Sequence, residues 1–180
     1  MMMIITGERE IGKSTICKQV EELAHKEWLT CGGIITYKSS DSGIVIKDMQ
    51  TGRTESLASI ENKYKGSYSG KYYFNPAGIQ FGLEAIQKGI SADILFVDEL
   101  GHLELKGEGF FSIMKLLISD KIKTSIVVIR KELLAEFLSL LGSKPLIFEA
   151  TISNRNDLPG VIFSYITSKQ PVKLTDVDCA

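Results

Sequence analysis

The sequence lacks most features that mark a secreted, zinc-binding or nucleic-acid-binding protein. Its 180 residues include only three cysteines, Cys17, Cys31 and Cys179, and no pair has the CxxC spacing, so we expect no disulfide framework. The histidines, His25 and His102, have no second ligand at metal spacing, and we therefore predict no structural metal site. Twenty-one basic and 22 acidic side chains give a net charge of −1, which disfavours a long nucleic-acid-binding surface.

Long apolar runs are also missing. Those at 94–97 and 125–129 have the length of a β-strand and are far too short to cross a membrane. The N-terminus has no basic region ahead of its first apolar residues, as a signal peptide would. We therefore predict a cytoplasmic protein in a reducing environment, with no membrane attachment.

The most informative segment is a complete phosphate-binding loop of the form G-x-x-x-x-G-K-[ST]. It directly follows the apolar run at residues 1–5 and precedes a helical pattern, and this strand–loop–helix context is what the motif requires. Its nine residues are Gly7, Glu8, Arg9, Glu10, Ile11, Gly12, Lys13, Ser14 and Thr15. We predict that all nine surround the phosphates of a bound nucleotide.

The residue types of this loop suit an anionic ligand and a metal ion. Gly7 and Gly12 allow backbone angles and close approach that a Cβ would prevent, so that consecutive N–H groups can point at phosphate oxygens. Lys13 can reach the β- and γ-phosphates, and Ser14 offers a hydroxyl to Mg²⁺. The sequence therefore predicts a nucleoside-triphosphate site, with ATP and GTP as candidate ligands.

The apolar pattern along the rest of the chain predicts an α/β fold. A helical stripe at 13–28 is followed by three short strand patterns at 33–37, 43–48 and 53–58, separated by turn residues. These predict a small antiparallel meander at about 32–58, inserted after the first helix. A polar, tyrosine-rich loop follows, with a short strand predicted at 71–74.

Strand and helix patterns then alternate to the end of the chain, which is typical of a mostly parallel sheet flanked by helices. We predict one domain over 1–168 and a C-terminal tail over 169–180. Helices are predicted at 76–90, 109–119, 131–141 and 157–168, and strands at 93–97, 124–129 and 145–150.

Two adjacent carboxylates, Asp98 and Glu99, end the apolar strand at 94–97. In an open parallel sheet, ligands bind beyond the carboxyl ends of the strands, so the pair should lie near the phosphate loop. Asp98 can then hold Mg²⁺ together with Ser14. Glu99 can orient or deprotonate the water that attacks the γ-phosphate, which favours hydrolysis over transfer to a small acceptor.

An arginine near the transferring phosphoryl group would stabilise its developing charge. Arg9 lies in the loop, Arg130 ends a strand pattern and Arg155 follows the last strand, whereas Arg53 belongs to the meander. Sequence position weakly favours Arg130 and Arg155, without deciding which arginine acts. Arg155 can instead contact the base or the ribose.

Several strings together resemble a family of small P-loop nucleoside-triphosphatases first described from thermophiles and also found in animals. That family has D-E-I-G-K-M-E-L where residues 98–105 are D-E-L-G-H-L-E-L, and a G-x-Y-x-V segment where residues 70–74 are G-K-Y-Y-F. Its closing T-x-x-N-R-N/D stretch resembles residues 151–156, T-I-S-N-R-N. The resemblance covers residues 1 to about 168 in consistent order.

This resemblance implies slow Mg²⁺-dependent hydrolysis of nucleoside triphosphates with little base selectivity. It also implies a RecA-like sheet in which another strand separates the loop strand from the Asp98 strand. One departure concerns the lysine that follows D-E-I-G in the family, since His102 occupies that position here. Any fixed positive charge that the lysine supplies becomes pH-dependent or absent.

Two other functions stay open on sequence grounds. The chain can be a nucleotide-gated interaction module with little turnover, in which the tyrosine-rich segment 64–74 and the meander form a surface for an unknown protein partner. It can also be a small-molecule or nucleotide kinase, because such enzymes share the phosphate loop. No N-K-x-D guanine signature is present, which disfavours strict GTP specificity.

Overall fold

A computed structural model describes residues 1–142 and 144–168 of the chain. The predicted tail at 169–180, with Cys179, lies outside the described residues. The strands are β1 (Met2–Gly7), β2 (Cys31–Lys38), β3 (Ile44–Asp48), β4 (Thr54–Ser59), β5 (Tyr68–Ser69), β6 (Tyr72–Phe74), β7 (Ile94–Leu100), β8 (Ser125–Ile129) and β9 (Leu146–Ala150). The α-helices are α1 (Lys13–Lys26), α2 (Pro76–Lys88), α3 (His102–Leu105), α4 (Met114–Leu117), α5 (Leu134–Leu141) and α6 (Leu158–Thr167).

These nine strands form one sheet in the order β5-β6-β4-β3-β2-β7-β8-β1-β9. The five strands from β2 to β9 in this order run parallel to one another. Strand β8 lies between the loop strand β1 and the Asp98 strand β7, as the family resemblance implies. The predicted α/β fold with a mostly parallel sheet is confirmed.

The antiparallel meander is present, and it continues the main sheet. Strand β2 pairs in parallel with β7 on one side and antiparallel with β3 on the other. Its close approach to β7 requires a glycine, since Gly33 has φ +90° and a Cβ there would lie 2.0 Å from the carbonyl oxygen of Phe96. The meander is thereby fixed to the strand that carries Asp98.

Side chains that alternate along the central strands build two cores, one on each face of the sheet. In β7, Leu95 and Val97 belong to the core under α2 and α5, whereas Ile94 and Phe96 belong to the core under α1 and α6. Each fully buried side chain of this size contributes roughly 1.5–3 kcal/mol to folding. Strands buried on both faces explain why their sequences are apolar throughout.

Local sequence chemistry sets the start of α2. The Asn75 side chain accepts a hydrogen bond of 3.1 Å from the Ala77 amide, and Pro76 takes the first helical position, where its missing N–H costs nothing. Among the described residues, no helix is both long and apolar enough to cross a membrane.

Three predicted elements were wrong in detail. The helix predicted at 109–119 is a 3₁₀ turn, Phe111–Ile113, followed by the short α4, because Gly107 and Gly109 adopt positive φ and the chain turns where a helix would begin. The strand predicted at 93–97 extends to Leu100, and helix α3 follows it. The short strand predicted at 71–74 is present as β6, but the loop predicted before it contains a further strand, β5, which pairs with β6 to form a hairpin.

Candidate active site

The phosphate loop connects the end of β1 to the start of α1. Gly7 has φ +140°, and a Cβ there would lie 2.6 Å from the carbonyl oxygen of Ala150 in the neighbouring β9. Gly12 precedes the first turn of α1 with φ +105°. Both glycines are therefore required by backbone geometry, and the N-terminus of α1 is open toward an anion.

Lys13 spans the loop from the first turn of α1. Its ammonium group donates hydrogen bonds to the carbonyl oxygens of Gly7 at 2.8 Å and Glu8 at 2.7 Å. Burial lowers the pKa of Lys13, and the nearby carboxylates of Glu99 and Asp98 oppose that shift. The charge of Lys13 thus lies between the loop and the acidic pair of β7.

Asp98 is buried at the end of β7, with only 1% of its surface exposed. One of its oxygens, Oδ2, accepts two hydrogen bonds of 3.0 Å from the backbone N–H and the hydroxyl of Thr36 in β2. Burial raises the pKa of Asp98, and hydrogen bonding by the hydroxyl of Ser14 and by Thr36 opposes it. Sequence reasoning missed Thr36, because its contact with Asp98 depends on β2 and β7 being neighbours.

Glu99 lies at an irregularity of β7 and faces the space beside the loop. The register between β7 and β8 shifts between Val97 and Leu100, and Glu99 has φ +74°. Such a backbone costs a non-glycine residue roughly 1–3 kcal/mol and is concentrated at functional sites. The irregularity re-aims the side chain, and Glu99 Oε2 lies 3.8 Å from Arg130 Nη2.

The charges around Glu99 have opposing effects on its pKa. Burial and the neighbouring Asp98 raise the pKa of Glu99, whereas Arg130 and Lys13 lower it. Burial and Asp98 outweigh the two cations, so the pKa of Glu99 lies above its ordinary value.

The segment after β7 is held by Glu104, the glutamate of the D-E-x-G-x-x-E-L string. Its carboxylate accepts hydrogen bonds from the backbone N–H of Gly101 at 2.7 Å and of Phe110 at 2.9 Å. A Cβ on Gly109 would lie 2.3 Å from Glu104 Oε1, so this turn has room for the carboxylate only with glycine at 109. Glu104 therefore fixes the segment from Gly101 to Phe110, which includes α3 and follows Glu99. Its sequence position alone did not reveal this structural role.

A cleft of about 780 Å³ opens between the loop and the antiparallel end of the sheet. One wall carries Glu99 and Arg130, and the other consists of the end of β2 and the β5–β6 hairpin. The predicted loop residues at this cleft are Arg9, Glu10, Gly12, Lys13, Ser14 and Thr15. At its mouth the exposed side chains of Lys38 and Glu10 form an ion pair.

A smaller groove of about 230 Å³ lies on the other side of the loop, toward β9. It is bordered by Ile11, Gln19, Arg155 and other residues of α1 and the loop. Asn154 shapes the turn that carries Arg155, since its side chain accepts from the Thr151 amide at 2.8 Å and donates to the Glu149 carbonyl at 2.9 Å. This accounts for the asparagine in the N-R-N string.

The three candidate arginines therefore lie on two sides of the phosphate loop. Arg130 and Arg9 line the large cleft with Glu99, whereas Arg155 lines the opposite groove. Arg53 is exposed beside the β3–β4 turn. Only Arg130 forms an ion pair with Glu99 within the described part of the chain.

Among the described residues, no three His, Cys, Asp or Glu side chains come together as a metal site. The donors that do converge are the Asp98 carboxylate and the Ser14 hydroxyl at the start of α1. One carboxylate and one hydroxyl beside a phosphate loop fit a Mg²⁺ ion that takes its remaining ligands from substrate phosphates and water.

A parallel sheet with a phosphate loop after β1, a second strand between β1 and β7, and an acidic pair at the end of β7 defines a P-loop NTPase fold. A family model described as "NTPase" matches residues 2–163, and the chain belongs to this family. It is 30% identical over 168 residues to a nucleoside-triphosphatase THEP1 of Methanosarcina barkeri, covering 90% of this chain and 95% of the relative.

Other relatives and solved structures agree with this assignment. A nucleoside-triphosphatase THEP1 of Methanosarcina acetivorans is 33% identical over 128 residues, which is 67% of this chain and 72% of the relative. The crystal structure of THEP1 from Aquifex aeolicus is similar with a TM-score of 0.71 at 21% identity, covering 93% of this chain and 100% of that one. A solution structure of a human cancer-related nucleoside triphosphatase gives a TM-score of 0.72 at 17% identity, with 93% and 98% covered.

Proposed function

We propose that the chain is a Mg²⁺-dependent nucleoside-triphosphatase that hydrolyses ATP, GTP and other nucleoside triphosphates to diphosphates and phosphate. The observation that carries this proposal is Glu99, which faces the cleft beside the phosphate loop with Arg130 3.8 Å away. The relatives that cover most of the chain bear the name nucleoside-triphosphatase.

The phosphate loop would bind the triphosphate through backbone N–H groups of residues 7–15. Lys13 would exchange its hydrogen bonds with the loop carbonyls for bonds to the β- and γ-phosphates. Ser14 and Asp98 would hold Mg²⁺, and Thr36 would keep the Asp98 carboxylate in place. When bound, Mg²⁺ neutralises charge on the phosphate oxygens.

Glu99 would act as the general base. It would take a proton from water while the water oxygen bonds to the γ-phosphorus, and the bond to the β,γ-bridging oxygen would break. Arg130 would stabilise negative charge on the transferring group. Arg130 is therefore our candidate for the catalytic arginine, ahead of Arg9 and Arg155.

The nucleoside part would lie in the small groove near Arg155. The absence of an N-K-x-D guanine signature supports broad base specificity, because base discrimination depends on hydrogen bonds that fit one base only. We also propose a cytoplasmic location, since Cys17 and Cys31 are both free, buried thiols, which suits a reducing compartment.

The test is phosphate release from ATP, GTP, CTP and UTP, each measured with Mg²⁺ and with EDTA. We expect release from all four with Mg²⁺, within about one order of magnitude of one another, and loss of release with EDTA. Binding of nucleotides with no release under any condition would overturn hydrolysis and favour the nucleotide-gated interaction module.

A further inference from the structure

The position of Glu99 sets the direction in which a triphosphate lies on the loop. Glu99 and Arg130 can act only on the γ-phosphorus, and both line the large cleft. The γ-end of the triphosphate must therefore face this cleft. The α-phosphate and the nucleoside then leave on the opposite side, toward Arg155 and the small groove.

In this direction the β- and γ-phosphates occupy only the loop end of the large cleft, which is lined by Lys13, Ser14 and Thr15. The volume of the cleft is about 780 Å³, whereas the one water that hydrolysis needs occupies about 30 Å³. Clefts of roughly 300–1,000 Å³ are the size of ordinary small-molecule sites. Hydrolysis alone does not account for the part of the cleft that extends beyond the phosphates to the β5–β6 hairpin.

The walls of the cleft indicate which molecule it takes. Apolar and aromatic side chains from β2, β3, β6, α3 and the turn after α3 line it: Tyr37, Ile44, Tyr72, Phe74, Leu103 and Phe110. Aromatic surfaces of this kind bind planar rings by stacking and edge contacts. Polar side chains share this lining, among them Thr36, Ser69 and Lys71, and Lys38 pairs with Glu10.

We propose that the large cleft binds a nucleoside through its planar base, and that the chain transfers the γ-phosphoryl group to a hydroxyl of its sugar in competition with water. Glu99 takes the hydroxyl proton, the alcohol oxygen bonds to the γ-phosphorus, and the nucleoside diphosphate leaves with the bridging oxygen. The products are a phosphate monoester and a nucleoside diphosphate. This proposal rests on the proposed function, because it uses the same base and the same γ-phosphate.

The test uses ATP labelled on the γ-phosphate, Mg²⁺ and millimolar adenosine, guanosine, cytidine, uridine or thymidine. Label is counted separately in inorganic phosphate and in nucleoside monophosphate. We expect at least one nucleoside to take label and to lower phosphate release in proportion. Label that appears only in inorganic phosphate, at an unchanged rate with all five nucleosides, would overturn the proposal.

Matched variants on the hairpin locate the acceptor. Tyr72 lines the cleft, whereas Tyr68 is exposed and packs against Tyr73 in a tilted arrangement with ring centroids 4.8 Å apart. Tyr72→Ala should lower the ratio of transferred to released phosphate at least fivefold, and Tyr72→Phe should restore it. Tyr68→Ala should leave that ratio unchanged, and an equal fall in both alanine variants would contradict binding in the cleft.

The two proposals fail in different ways. If ATP with Mg²⁺ releases no phosphate in the absence of a nucleoside, the proposed hydrolysis is wrong. If phosphate is released normally but no nucleoside takes label or changes the rate, hydrolysis stands and the acceptor site is wrong.

Discussion

Replacing Glu99 by glutamine tests the proposed reaction most directly. Glutamine has nearly the same shape, so the half-buried side chain should keep its packing, but a neutral amide cannot take a proton from water. Glu99→Gln also removes a negative charge 3.8 Å from Arg130 and close to the γ-phosphate. Nucleotide affinity should therefore stay the same or rise.

The expected loss of rate follows from the role of the carboxylate. General bases contribute about 10²–10⁴-fold to rate, and Lys13 and Arg130 would still polarise the γ-phosphate in the variant. We therefore expect a fall in turnover of at least tenfold, which equals about 1.4 kcal/mol in the activation barrier.

The assay is steady-state phosphate release with ATP and Mg²⁺, together with the dissociation constant of a non-hydrolysable ATP analogue. Glu149→Gln is the matched control, because Glu149 lies next to the last residue of β9 at the same edge of the sheet, pairs with Lys131 at 2.6 Å and does not line the cleft. An unchanged rate in Glu99→Gln would remove Glu99 from the mechanism. An equal fall in both variants would show a general loss of charge or stability.

Three further predictions follow from individual contacts. Lys13→Ala should weaken nucleotide binding in calorimetry and slow phosphate release, because it removes the ammonium that bridges the loop carbonyls; normal kinetics would contradict the phosphate-loop assignment. Gly33→Ala should lower the unfolding free energy by at least about 2 kcal/mol, or the Tm by about 4–8 °C, since its Cβ would lie 2.0 Å from the Phe96 oxygen. The control is Gly52→Ala, whose Cβ would meet no atom within 4 Å. It should lower the Tm by less in the same thermal melts. Burial raises the pKa of the Cys31 thiol to about 12, so about one in ten thousand molecules carries the thiolate at pH 8. Cys31 of the native protein should therefore be alkylated slowly, as measured by mass spectrometry, and rapid alkylation would contradict the burial of its thiol.

Sequence patterns located most regular elements because their causes are local or periodic. The stripe of α1, the continuous apolar strands of the parallel sheet and the Asn75-Pro76 start of α2 are visible in the sequence itself. The helix predicted at 109–119 failed because its apolar residues suit a helix, while Gly107, Gly109 and the contact between Glu104 and the Phe110 amide turn the chain at that point. Strand β5 was missed, although β6 was predicted, because a strand of two residues leaves too little pattern.

For the site, the sequence by itself determined the chemistry that is present: a phosphate loop with Lys13 and Ser14, and a carboxylate pair at the end of a strand. Their residue types and spacing are local properties, so no folded structure is needed to recognise them. Only the tertiary structure decided their arrangement. The register shift in β7 directs Glu99 toward Arg130, the pairing of β2 with β7 places Thr36 on Asp98, and the strand order separates Arg155 from Arg130. These relations join residues that are distant in sequence, and strand pairing brings them together.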